Sequence, residues 1–273
     1  MQALRYISSV REAGFPLVAF MQLARVWGQA LSQIADAEAR LFHLHVHEPL
    51  MRDGVPGLQM AEEMENLAGD LLPLASPIMD YVHQRYLQHC VEQVGHVEMD
   101  LGESYDLDEL GRLNVAIAFA DLAGYTRYTE EEALSFVERF IDAVTDTLPE
   151  PARVVKTIGD AVMIVGQDFH ALLEWAVGFQ ALFDDRPAPR IGVHRGAAIY
   201  RDGDYFGRDV NLTARVVARA GGGEVLLTDA VRETAERLDH LHLEDVGQVK
   251  LKGFNEPRVL ARATQAVEKE SRD

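Results

Sequence analysis

Val115-Ala-Ile-Ala-Phe-Ala is a run of six apolar residues that ends on a carboxylate, Asp121. A run this short and this uniformly apolar is expected of a strand covered on both faces. Its alternation puts Val115, Ile117 and Phe119 on one side and three alanines on the other. A chain with such a strand needs a packed layer on each side of its sheet. The neighbouring segments supply those layers. Glu130 to Thr147 and Phe169 to Phe183 read as helices, and Val154 to Val165 as a hairpin turning at Gly159. Arg190 to Tyr200 reads as a strand. Asp209 to Ala220 reads as a helix stopped by Gly221-Gly222-Gly223. Glu224 to Leu227 is another strand, with Thr228 or Asp229 capping the next helix. The expected fold is α+β, with helices against a mostly antiparallel sheet.

The texture differs before residue 100. Leu17, Phe20, Met21, Ala24, Trp27, Leu31 and Ile34 fall at helical spacing. Val55-Pro56, Leu72-Pro73 and Ser76-Pro77 punctuate the later part of this region. The acidic, glycine-containing stretch after residue 97 reads as a linker. The expected organisation is an all-α domain over 1–97, a linker over 98–112 and the α+β domain over 113–273.

The 273 residues are 48% hydrophobic, enough for a real core. The net charge of −18 argues against a nucleic-acid partner. Phe15 to Trp27 is the most apolar early stretch, but Arg25 breaks it, so no transmembrane segment is expected. Cys90 is the only cysteine, which excludes an intrachain disulfide and suits a cytoplasmic setting.

Asp121 and Asp160 each end or turn a strongly apolar strand. Burying one unpaired charge is costly. Two carboxylates together make a cage for hard cations, which prefer oxygen ligands. The bland reading is that either one caps a turn. Lysine is scarce (Lys156, Lys250, Lys252 and Lys269), so a lysine four residues before Asp160 stands out. Asn211 and Arg215 are spaced i, i+4 and share one face of their helix. A solvated helix face is the ordinary reading of such a pair, as a loop residue is of Asp204.

The phrases FADLAGYT, VVKTIGDAVMIV, RIGVHRG, GDYFGRDVNLTARV and KLKGF, in that order over residues 113–262, resemble those of class III nucleotide cyclases. The resemblance implies a ferredoxin-like, palm-like catalytic domain that pairs head to tail as a homodimer, with each site drawing on both chains. It implies that Asp121 and Asp160 hold two Mg²⁺ or Mn²⁺ ions. Lys156 and Asp204 would read the base, and a cation beside an anion matches the N1 acceptor and N6 donor of adenine, favouring ATP over GTP. Asn211 would orient the nucleotide, Arg215 would stabilise charge on the α-phosphate, and Lys252 would contact the distal phosphates. On a strand, Lys250 would point the same way as Lys252 and could substitute for it. The implied reaction is ATP to 3′,5′-cyclic AMP and pyrophosphate.

Two departures from the family pattern stand out: Arg208-Asp209 replaces an Asn-Thr or Pro-Thr pair, and Ala197 stands where some members have a phosphate-contacting arginine. The alternatives are a guanylate cyclase, which usually carries a glutamate and a small polar residue or cysteine as its base-reading pair, and a catalytically silent nucleotide-binding module. A diguanylate cyclase would need a different hairpin from Ile158-Gly159-Asp160-Ala161.

Residues 15–97 resemble part of the helical regulatory domain of pH-responsive mycobacterial adenylate cyclases, through Phe15-Pro16 and Leu23-Ala24-Arg25-Val26-Trp27-Gly28. His43, His45, His47, His83, His89 and His96 lie in this stretch, and histidine changes charge near physiological pH. Protons are therefore one candidate signal. A lipid held by the apolar helices, or simple dimer packing, are others. Any single histidine reads first as an exposed helix residue, and His43 with His47 could share a metal only with a third ligand the sequence does not show.

Overall fold

A computed structural model describes residues 8–9, 12, 14, 16–101, 112–183 and 187–266, the side chains of 89, 90, 92–101 and 126 excepted. The chain divides into two compact units, Met1–Ser104 and Tyr105–Asp273.

The first unit is helical among its described residues. Helix α1 (Leu17–Phe42) is followed by a π-helical turn, His43–His47, then α2 (Glu48–Arg52) and the long α3 (Gly57–Leu101). Pro73 and Pro77 lie inside α3 rather than ending it. Each removes one amide donor, and their four-residue spacing confines the loss to the carbonyls of Gly69 and Pro73 on one face. The helix continues to Leu101, four residues into the stretch expected to be a linker. Residues 102–111 lie outside the described residues, as do Phe15 and the side chains of His89, Cys90 and His96. In the π-helical turn the His43 and His47 rings stack with centroids 4.8 Å apart. No helix among the described residues is long and apolar enough to cross a membrane.

The second unit is an eight-stranded sheet. Its strands are β1 (Arg112–Leu122), β2 (Arg153–Ile158), β3 (Ala161–Gly166), β4 (Pro189–Arg201), β5 (Asp204–Phe206), β6 (Val225–Thr228), β7 (Leu241–Val249) and β8 (Arg258–Gln265). The spatial order is β2-β3-β1-β4-β6-β8-β7, with β5 pairing β4 off this path. Only β4 and β6 run parallel; the other pairs are antiparallel. The helices are α4 (Glu130–Thr147), α5 (Phe169–Phe179), α6 (Arg208–Arg219) and α7 (Asp229–Glu236).

Strand β1 sits at the centre of both layers, as its alternation requires. Ala116, Ala118 and Ala120 face a cluster built on Phe140 of α4, Leu172, Leu173 and Phe179 of α5 and Val231 of α7. The small side chains leave room for these rings. On the other side Val115, Ile117 and Phe119 pack with Met163, Tyr205 of β5 and Val210 and Val217 of α6. Helix α6 comes so close to β4 that a Cβ placed on Gly192 would lie 2.5 Å from the amide nitrogen of Val217. Backbone cannot yield as a side-chain tip can. Gly192→Ala is therefore expected to destabilise the second unit by about 1–3 kcal/mol, read as a lower denaturant midpoint at unchanged m-value.

Candidate active site

Two hairpins build the site, and each has the turn its residues demand. Gly159-Asp160 is a two-residue loop between the paired residues Ile158 and Ala161. Gly159 takes φ +64, the glycine-first pattern of a II′ turn. Asp160 is thus fixed at the end of the hairpin. Asp121 on β1 lies directly across from Ala161 in the register. The two carboxylates therefore meet because the sheet pairs their neighbours. The second hairpin joins β4 to β5 through Asp202-Gly203. These residues take φ 54 and 81, positive at both positions as in a type I′ turn. Asp204 comes next, as the first residue of β5 rather than a loop residue.

The carboxylate pair is electrostatically tense. Burial, and then the adjacent Asp121, push the Asp160 carboxyl up to about 7. Arg190, opposite Asp121 on β4, donates through Nε to Asp121 Oδ2 at 3.0 Å. The other oxygen, Oδ1, is buried without a hydrogen-bond partner. The Tyr125 phenol is held above its ordinary value, chiefly by the charge of Asp160. An orphaned carboxylate oxygen beside a second carboxyl that resists ionising fits a divalent cation. The cation would relieve both, and its donors here are the hard oxygens that Mg²⁺ and Mn²⁺ take. Among the described residues no cluster of three or more His, Cys, Asp or Glu side chains forms, so further ligands would come from backbone, water or substrate oxygens.

Lys156 and Asp204 form a half-buried ion pair, with side chains 34% and 24% exposed. A bulge in β2 makes this contact. The register shifts between Val154, which pairs with Ile164, and Lys156, which pairs with Met163. Val154 accordingly packs with the α4–α5 cluster, while Val155 joins the opposite one. In an unbroken strand Val154 and Lys156 would share a face. The extra residue turns Lys156 toward β5. Asp204 is also steadied by the Tyr205 amide, which donates to its Oδ1 at 2.8 Å. The Lys156 Nζ lies 5.9 Å from the Phe206 ring centroid.

Asn211 and Arg215 occupy the exposed face of α6, while Leu212, Thr213, Val216 and Val217 bury the other. Among the described residues, no hydrogen bond or ion pair joins them to the aspartates or to Lys156. Lys252 differs from expectation in its setting. Strand β7 stops at Val249, so Lys250 and Lys252 are not two positions along one strand. Lys252 sits in an exposed turn with Gly253 at φ +87, and the alternation argument for Lys250 fails. Leu251 and Phe254 bury on either side of it, against Leu212 and Val216 of α6. Arg190 and Tyr125 are site neighbours that residue-by-residue reading passes over. Both lie inside the family-like phrases, but only strand register puts Arg190 opposite Asp121.

No family model matches the chain. It is 33% identical over 243 residues to the pH-sensitive adenylate cyclase MT1302 of Mycobacterium tuberculosis, a match covering 85% of this chain and 59% of that protein. It is 32% identical over 239 residues to an adenylate cyclase of Streptomyces griseus, covering 84% of this chain and 57% of that one. The chain thus spans about three fifths of the length of these relatives. Among solved structures, an adenylate/guanylate cyclase/hydrolase from Silicibacter pomeroyi superposes with a TM-score of 0.50 at 26% identity, over 57% of this chain and 99% of that one. The second unit therefore has the palm-type α+β fold of cyclase catalytic domains. The chain belongs to the class III nucleotidyl cyclases.

Proposed function

We propose that the chain is an adenylate cyclase that converts ATP to 3′,5′-cyclic AMP and pyrophosphate at sites shared between two copies. The observation that carries this reading is the ion pair of Asp204 with Lys156, which stands on the hairpin that also carries Asp160. A donor and an acceptor held together match adenine's Watson–Crick edge. The carboxylates that would meet the phosphates lie at the turn of the same hairpin and on the adjoining strand β1. Asp121 and Asp160 would hold the divalent cations. When bound, these would acidify the ribose 3′-hydroxyl and balance charge on the triphosphate and departing pyrophosphate. The 3′-oxygen forms its bond to the α-phosphorus as the bond to the bridging oxygen of pyrophosphate breaks. Arg215 would stabilise the charge on the α-phosphate, Asn211 would orient the nucleotide, and Lys252 would bind the distal phosphates. Asn211 and Arg215 lie on an exposed helix face, which favours their serving the site of a second copy. In the assay that decides it, purified chain given ATP and Mn²⁺ is expected to release cyclic AMP and pyrophosphate in equal amounts. Binding without turnover would instead favour a silent module.

The helical unit is proposed to regulate the catalytic one from within the cytoplasm, with protons as the signal. Similarity to the pH-sensitive mycobacterial enzyme supports this, as does the stacked pair His43–His47. Protonating both rings at 4.8 Å would set like charges against each other and strain the π-helical turn. The activity–pH profile of the full chain is expected to differ from that of residues 107–273. Superimposable profiles would remove the regulatory reading.

A further inference from the structure

Lys156 and Asp204 face each other across strands that share no hydrogen-bonded ladder. Strand β2 is an edge that pairs only with β3, and β5 pairs only with β4. In sheet order β3, β1 and β4 lie between them. Among the described residues no backbone hydrogen bond joins β2 directly to β5, so side chains make the direct links across the gap. A base entering the site must take hydrogen bonds from Lys156 and give them to Asp204, so the pair cannot also be its own spacer.

A second link spans the same gap. Arg153, on β2 before the bulge, donates from Nη2 to the Tyr205 hydroxyl at 3.0 Å. Its guanidinium lies 5.6 Å from the Tyr200 ring centroid and 5.7 Å from that of Tyr205, a doubly aromatic seat for a cation. The two tyrosine rings lie 5.0 Å apart. Tyr205 is buried in the cluster that also receives Val155, the residue at the bulge. It comes directly after Asp204 and donates its amide to that carboxylate. Whatever holds Tyr205 against Arg153 therefore holds Asp204 against Lys156.

We infer that Arg153 and Tyr205 form a clamp that fixes the distance between β2 and β5, making them positioning residues for adenine selectivity. The inference rests on the adenylate cyclase reading. The clamp touches no base. It keeps Lys156 and Asp204 at a spacing that fits one donor–acceptor pattern, and discrimination between purines depends on that fit.

The test uses the full chain. Arg153→Gln and Tyr205→Phe are each expected to lower the ratio of kcat/KM for ATP over GTP by about tenfold, chiefly by raising the KM for ATP. Arg153→Lys, which keeps a donor and a cation, should retain most of the ratio. Affinities for fluorescent ATP and GTP analogues should shift in parallel, which reads the clamp without turnover. Tyr205→Phe keeps the buried ring, so a folded variant is available even where another is not. A ratio within about twofold of wild type, or an equal loss for both nucleotides, overturns the clamp. Wild-type protein that prefers neither nucleotide overturns the adenylate reading, and the clamp with it. A wild-type preference for ATP that the variants leave unmoved defeats the clamp alone.

Discussion

Asp121→Ala and Arg215→Ala are each expected to be inactive alone, yet to regain up to about a quarter of wild-type activity when mixed. The two losses have different causes. Removing Asp121 deletes the carboxylate whose Oδ1 is buried and unpartnered; on the proposed reading, Asp160 alone would then remain to hold cations. Removing Arg215 deletes a cation from the exposed face of α6, worth on the order of 10³-fold in a phosphoryl-transfer enzyme. If one copy supplies the aspartates and the other the arginine, half the dimers formed at random carry both lesions at one site and none at the other. Each such dimer keeps one working site of two. Mass spectrometry of differently tagged chains would show that mixed dimers form. Mixed dimers without recovered activity would place the whole site within one chain.

Lys156→Glu is expected to cut kcat/KM for ATP by at least about a hundredfold. The new carboxylate would face Asp204, at present the lysine's partner, so repulsion replaces an ion pair. It would also offer adenine N1 an acceptor where a donor is needed. Adding Asp204→Ser removes the repulsion and leaves an arrangement suited to guanine, so the double variant should prefer GTP. Steady-state kinetics with both nucleotides read the outcome. A single variant retaining ATP turnover within about tenfold would show that the pair does not read the base.

Much of the fold is legible in the residues because its signals are local. The alternation from Val115 to Ala120 announces two buried faces, and both are filled. Glu130 to Thr147 is a helix with those bounds, where the Thr129–Glu132 capping box fixes its start. The differences have physical reasons. Pro73 and Pro77 read as breaks, yet helix α3 tolerates both because the lost donors fall on one face. The alternation expected of Lys250 and Lys252 fails because pairing of β7 with β8 ends at Val249. The composition of Lys250-Leu-Lys252-Gly-Phe carries no mark of where pairing stops. The roles of Asp121, Asp160, Lys156, Asp204, Asn211, Arg215 and Lys252 come from resemblance. The residues alone offer an acidic pair and a shared helix face. Arg190, Tyr125 and Arg153 escape a linear reading because their partners Asp121, Asp160 and Tyr205 are distant in the chain and reachable only through the register of the sheet.

The supernumerary residue in β2 bears on how such a chain can change its substrate over time. Side chains at 156 and 204 can be exchanged by point mutation while the backbone that aims them stays as it is. Losing the codon for Val155, the residue at the bulge, would keep that aim as well. It would restore the regular pleat with Lys156 still opposite Met163, on the side of Tyr205, and would cost only the packing that Val155 adds to that cluster. On the proposed reading, purine preference in this scaffold thus belongs to the two side chains and is open to point substitution.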